Sequence, residues 1–199
     1  MQHWGSAVLA ACSRLATPSR MLEAVLKVVS GARASCFVRS PCAVLCVLNL
    51  SEKLENDDVL ELRLLPLKKV VMVPDHISAI LRKAVRMPLH KTRIMIDLIV
   101  LSSDSRVFEA SVNAASICLL QSGIPLVDTF AAATVASNEC SATIAGGFFT
   151  GKIVHLQCQG NALRGAAEEA WRRCRENAEA IKRHIEETVQ VTSQEKKTL

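Results

Sequence analysis

Apolar positions along this chain follow two spacings, and the alternation between them predicts a mixed α+β domain. Two short apolar runs, Val25 to Val29 and Ala34 to Val38, flank Ser30-Gly31 and read as a hairpin of strands. Cys42 to Leu50 is continuously apolar between Pro41 and Ser51, as in a strand covered on both faces. Glu52 to Asp58 is polar and acidic, a loop, and Val59 to Leu64 then alternates as VLELRL until Pro66 stops it.

The spacing next turns helical. Pro74-Asp75 supplies a start signal, with Asp75 at or near the N-cap, and Ile77, Ile80, Leu81, Ala84 and Val85 form one apolar stripe. Arg82, Lys83 and Arg86 are left toward solvent, and Pro88 closes the element. Arg93 to Leu101 is a nearly all-apolar strand whose one acid, Asp97, needs a partner if buried. After a turn at Ser102 to Ser105, a helix over Glu109 to Ser122 is kept thin by Ala110, Ala114, Ala115 and Cys118, which permits close approach to a sheet.

Gly123 suits the left-handed position that ends that helix, and Pro125 prevents its continuation. Strands are expected over Val127 to Ala136, Ala142 to Phe148 and Lys152 to Cys158, with a tight turn at Thr150-Gly151. Last comes a long amphipathic helix from Ala162 to Val189, with Ala167, Trp171, Cys174, Ala178, Ile181, Ile185 and Val189 on one face. The organisation is a flexible segment over 1–20, one domain over 21–190 and a disordered tail over 191–199.

Composition sharpens this picture in two ways. The chain is 50% hydrophobic with a mean hydropathy of +0.24, yet no run approaches the roughly 20 apolar residues that span a bilayer, so no membrane partner is expected. The apolar excess instead predicts surfaces buried against neighbouring subunits. The eight cysteines, at 12, 36, 42, 46, 118, 140, 158 and 174, lie mostly in apolar runs without a CxxC pair or a Cys/His cluster. They read as reduced, buried thiols of an intracellular protein, and no zinc site or other metal or cofactor is expected.

The net charge of +5 is unevenly placed. Lys68 to Arg93 holds seven bases (Lys68, Lys69, Arg82, Lys83, Arg86, Lys91 and Arg93) against Asp75 alone, and the first 50 residues hold five bases against Glu23. Such a stripe suits phosphate-backbone contact, and it equally suits a solvated face. Residues 1–20, with Arg14, Arg20, Ser and Ala but no acid, resemble a mitochondrial presequence or a flexible tail.

Four stretches carry a family resemblance. They are VLELRLLPL from Val59, LHKTRIMIDLIVL from Leu89, ASVNAASICLLQSGIPLVD from Ala110 and KIVHLQCQG from Lys152. Together with the order of elements from Val25 to Val189, they resemble the RNase PH family, the NAA-type helix (Asn113-Ala114-Ala115) and the GIP turn (Gly123-Ile124-Pro125) being the specific words. The resemblance implies an RNase PH-like (ribosomal protein S5 domain 2-like) α+β fold and a role in RNA metabolism.

Active members of that family are phosphorolytic: inorganic phosphate attacks the terminal 3′ linkage of RNA and releases a nucleoside diphosphate. The chemistry needs cations for the phosphate and carboxylates that hold a metal or move a proton. In active members paired aspartates follow the GIP strand. Here Glu139 is the one acid between Thr129 and Ala167, and the connection from Val135 to Ala142 is too short for that segment. Active bacterial members also carry a GGTR-like turn before the NAA-type helix, whereas this chain has Asp104-Ser105-Arg106-Val107-Phe108, with Phe108 in place of the phosphate-binding arginine. Arg106 would substitute only if strand alternation aimed it the same way.

The resemblance therefore implies a subunit of the eukaryotic RNA exosome core without catalytic residues. Such a subunit joins other RNase PH-like chains in a hexameric ring, beneath S1/KH-type cap subunits and above a hydrolytic nuclease, so that RNA is processed and degraded 3′ to 5′. Lys68, Lys69, Arg33, Arg39, Arg82, Arg86 and Arg106 are the candidate RNA contacts. For Lys68 and Lys69 the other reading is a solvated loop or a cap contact; for Arg33 and Arg39 it is strand-edge charge that blocks aggregation. His90 and His155, isolated from any nucleophile or acid at motif spacing, read as structural, and Trp171 as a core anchor. The alternative function is an active phosphorolytic 3′–5′ exoribonuclease assembled as a homo-oligomer. The expected location is nuclear, nucleolar and cytoplasmic, with the mitochondrion as the alternative from the acid-free N-terminus.

Overall fold

The computed structural model describes residues 22–40, 42–52, 59–66, 74–86, 92–102, 106–137, 139–160 and 163–195. The expectations for residues 1–20, the acidic loop at 53–58, Lys68, Lys69, Pro88, His90, the turn at 103–105 and the last four residues lie outside this set. The elements are β1 (Glu23–Leu26), β2 (Ala34–Ser40), β3 (Cys42–Glu52), β4 (Leu60–Pro66), α1 (Pro74–Ala84), β5 (Thr92–Val100), α2 (Val107–Ser122), β6 (Phe130–Ala136), β7 (Cys140–Gly147), β8 (Ile153–Gly160) and α3 (Leu163–Glu195).

They form two sheets. A five-stranded sheet has the order β1-β2-β3-β5-β4, antiparallel except for the parallel β4–β5 pair that α1 connects. A three-stranded antiparallel sheet has the order β6-β7-β8. The continuous apolar run of β3 is explained by its position: Val44, Cys46 and Leu48 join the main core, while Leu45 and Val47 pack with Phe37 on the opposite face. Asp97, the acid of β5, finds its partner in Arg63 on β4, whose Nε and Nη2 meet its two carboxylate oxygens at 2.6 and 3.0 Å. The stripe of α1 is buried as its spacing requires.

Helix α2 sits between the sheets, against β2 and β3 on one side and β6 on the other. Thirteen of its sixteen residues are buried, so it has no solvent face and its small side chains set how closely the layers approach. Cys36, Cys46 and Cys118 meet inside this contact, with the Cys36 and Cys118 sulfurs 3.5 Å apart, and burial pushes the Cys36 and Cys46 thiols well above their ordinary range. None of the seven described cysteines is in a disulfide. Gly123 ends α2 at φ 72°, a conformation that glycine adopts without penalty.

Burying α2 against β6 creates a polar problem, because β6 is an edge strand with unpaired backbone groups. Side chains solve it. Asn113 accepts from the Ala132 amide at 2.8 Å and donates to the Ala132 carbonyl at 3.1 Å, as a neighbouring strand would. Glu109 accepts from the Thr134 amide at 2.8 Å, and Asn177 of α3 donates to both Glu109 and the Ala132 carbonyl.

Several boundaries differ by a residue or two from the pattern-based expectation, and three have a visible cause. β1 ends at Leu26 because Lys27 turns to φ 55°, outside strand geometry. β6 starts only at Phe130, since the segment before it bonds elsewhere: Val127 donates to the Ala84 carbonyl, and Leu126 bridges Val85. α3 runs on to Glu195, through a stretch holding neither glycine nor proline, so residues 191–195 are helical.

The strand-mimicking amide gives a direct test. Asn113→Ala should destabilise the fold by about 2–3 kcal/mol, because the Ala132 amide is left buried and unpaired. Asn177→Ala should cost about 1 kcal/mol, since Asn113 still serves the Ala132 carbonyl. Urea denaturation measures both, and equal losses would contradict the assignment.

Candidate nucleic-acid interface

Among the described residues the predicted RNA contacts are spread over both ends of α2, α1 and β2. Arg33, in the β1–β2 loop, donates from Nε to the Ser122 carbonyl at 3.0 Å and so caps the C-terminal end of α2, where a cation is favoured. Arg106 is the N-cap residue at the other end of the same helix. Sixteen residues separate them, about 24 Å of helix. Arg86 lies beside the Gly123–Leu126 turn, its amide bonded to the Pro125 carbonyl, and its side chain is exposed.

Arg82 reaches from α1 to the Leu60 carbonyl at 3.2 Å and to Ser78 at 3.3 Å, which ties α1 to the edge of β4. Arg39 on β2 stands directly opposite Glu23 of β1 and Ala43 of β3. Arg33 and Arg82 thus serve the fold, while Arg86 and Arg106 make no side-chain hydrogen bond or ion pair among the described residues. Lys68 and Lys69 lie outside the described residues. A charge count along the chain cannot show which guanidinium groups are already spent on carbonyls.

At the N-terminal end of α2 the side chains form a cluster instead of a cationic pocket. Phe108 stacks on His155 of β8 with ring centroids 4.7 Å apart, and His155 in turn meets His76, in the first turn of α1, at 5.4 Å. His155, read from sequence as isolated, is therefore held by residues from two other elements. The periodicity of any one segment could not reveal this. Its Nε2 is buried without a hydrogen-bond partner.

Arg106 does not take over the position of Phe108. Arg106 is the N-cap at φ −102° and ψ 16°, and Phe108 is the second residue of α2, so the pair does not lie on a strand. The strand alternation that such a substitution requires is absent. The β6–β7 connection is also short: Ser137 closes it through its amide and hydroxyl on the Cys140 carbonyl at 2.8 and 3.2 Å, and Glu139 is exposed. Among the described residues, no group of three His, Cys, Asp or Glu side chains could hold a metal ion. No helix among them is long and apolar enough to cross a membrane.

Two open edges carry apolar side chains. β8, at the end of the second sheet, exposes Ile153 and Leu156 by 49% and 54%, and β4, at the end of the first, exposes Leu65 by 49%. Apolar side chains exposed on edge strands suit contact with another chain.

No family model and no curated protein matches the sequence. The fold does have solved counterparts. The crystal structure of Rrp46 from rice (Oryza sativa) is similar with a TM-score of 0.70, covering 87% of this chain and 96% of that one at 13% sequence identity. The likeness is one of fold: mixed α and β, with the same arrangement over nearly the whole of the rice protein.

The histidine cluster predicts a pH effect. Burial lowers the His155 pKa, and the nearby His76 lowers it further. The unfolded chain, with a histidine pKa of about 6.5, then takes up the proton first. The contribution to stability is complete above about pH 6.5 and is lost as the pH falls toward the folded value. Urea midpoints should therefore fall more for the wild type than for His155→Phe as the pH drops from about 7 to about 5.5. Parallel profiles would contradict the packing.

Proposed function

We propose that this chain is a catalytically inactive, RNase PH-like subunit of the RNA exosome ring, supporting 3′–5′ RNA processing and degradation by forming part of the RNA channel. The fold it shares with rice Rrp46, joined to the sequence resemblance to the RNase PH family, is the observation that carries this reading. Its neighbours in the ring are other RNase PH-like chains; S1/KH-type cap subunits and a hydrolytic nuclease bind the ring faces.

Two features of the site support the absence of chemistry. Phe108, stacked on His155, stands where the resemblance puts a phosphate-binding arginine. The closed Ser137–Cys140 turn stands where active relatives carry their aspartates. Each phosphorolytic requirement, a cation for the phosphate and a carboxylate for metal or proton, is met by an occupant that cannot supply it.

The open edges of β8 and β4 support the ring. Burying Ile153, Leu156 and Leu65 against neighbours would account for the apolar excess of the chain. For RNA, Arg86 and Arg106 are, of the predicted contacts, the two without a side-chain hydrogen bond or ion pair among the described residues, with Lys68 and Lys69 as further candidates. This reading carries a nuclear, nucleolar and cytoplasmic location. A mitochondrial signal from a reporter fused to residues 1–20 would replace it.

Affinity purification of the tagged chain should recover the other RNase PH-like chains and cap proteins in near-equal amounts. Ile153→Asp combined with Leu156→Asp, on an exposed strand, should lose them while keeping the wild-type melting profile. Recovery of self-oligomers alone would instead favour the homo-oligomeric exoribonuclease.

A further inference from the structure

A second surface lies along the sheet-facing side of α3, where Trp171, Cys174 and Ala178 meet the end of β7. A groove of about 300 Å³ runs between this helix and the β7–β8 hairpin, lined by Gly146, Gly147, Phe148, Trp171, Arg175 and Glu179 among others. Its walls depend on missing side chains. A Cβ on Gly146 would come within 2.3 Å of the Trp171 indole, so only glycine lets that ring lie along the groove.

The rim is rigid. Asp128 accepts hydrogen bonds from the amides of Phe149 at 2.9 Å and Thr150 at 3.1 Å, and from the Thr150 hydroxyl at 2.6 Å. These bonds fix the hairpin tip and hold Phe149 out of the core, 74% exposed, with its ring edge-on to Phe148 at 5.0 Å. An aromatic ring held outward by a buried carboxylate is a built feature of the surface.

The charges around the groove differ from those elsewhere on the helix. Arg164 pairs with Glu168, Arg172 with Glu169 and Glu176, and Arg173 with Glu169. Arg175 and Lys182 have no carboxylate partner among the described residues. They stand over aromatic faces instead, Arg175 at 6.0 Å from Trp171 and Lys182 at 5.8 Å from Phe148. A cation over a ring at the mouth of an apolar groove keeps its charge available to an incoming anion.

We propose that this groove docks an acidic peptide segment of a partner protein, with an apolar side chain entering beside Trp171 and Phe148 and flanking carboxylates pairing with Arg175 and Lys182. Glu179 on the wall repels a phosphate chain laid along the groove, whereas a peptide can set its carboxylates to either side and give Glu179 a backbone N–H. The inference does not rest on ring membership. The groove belongs to the single chain.

Trp171 reports directly on the site. In full-length protein carrying Trp4→Phe it is the sole tryptophan. The probes are acetyl-Glu-Asp-Leu-Phe-Glu-Asp-amide, the same peptide with lysine for each acid, and an oligouridylate. The acidic peptide should give a saturable change in Trp171 emission that weakens with salt, and Arg175→Glu with Lys182→Glu, both on an exposed helix face, should lower its affinity about tenfold or more. Unchanged melting of that variant confirms that the fold is intact. No saturable change, equal binding of the lysine peptide, or unaltered affinity of the charge-reversed protein would overturn the proposal. Displacement of the peptide by oligouridylate would assign the groove to nucleic acid and overturn it as well.

Discussion

The fold depends on one interaction, the side-chain amide of Asn113 acting as the missing strand beside β6. The two sheets are not hydrogen-bonded to each other, so a helix must join them, and that helix must be buried on both sides. A buried helix against an edge strand leaves backbone donors and acceptors with neither water nor a ladder, at a cost of about 1–3 kcal/mol for each unpaired group. Asn113 presents a donor and an acceptor in the geometry of a peptide unit, and Glu109 and Asn177 complete the row. This gives a physical meaning to the asparagine of the NAA word. It sits where only a side-chain amide matches both groups of one residue, and the two alanines after it are fully buried in the same contact.

The same helix decides what its own N-terminal end can do. Because α2 is fixed between the sheets, its first turn is fixed too, and with it the direction of Phe108. That ring points to β8 and α1, where His155 and His76 receive it. An aromatic stack therefore fills the N-terminal end of α2 among the described residues.

Much of the fold was legible in the sequence because the determining signals are local. The uninterrupted run of β3, the stripe of α1, Gly123 after α2 and the turn at Gly151 each follow from neighbouring residues, and each appears in the structure. Asp97 also announced its need for a partner, though not that Arg63 would supply it from a parallel strand. The site was less legible because its determinants are distant in sequence. His76 and His155 meet only through tertiary packing. That Arg33 reaches the C-terminus of α2, and Arg82 the Leu60 carbonyl, was likewise invisible along the chain. The proposed substitution by Arg106 assumed a strand where a helix begins. Charge can be counted along a chain, but its use is set by what folds beside it.

The proposed function is that of a ring subunit sharing the fold of rice Rrp46 and carrying out no phosphorolysis. The most direct measurement incubates the purified chain with 3′-tailed RNA and inorganic phosphate and follows nucleoside diphosphate release. The account predicts no release above the no-protein control, and no difference between the wild type and Arg106→Ala. Phosphate-dependent release that disappears in Arg106→Ala would contradict it.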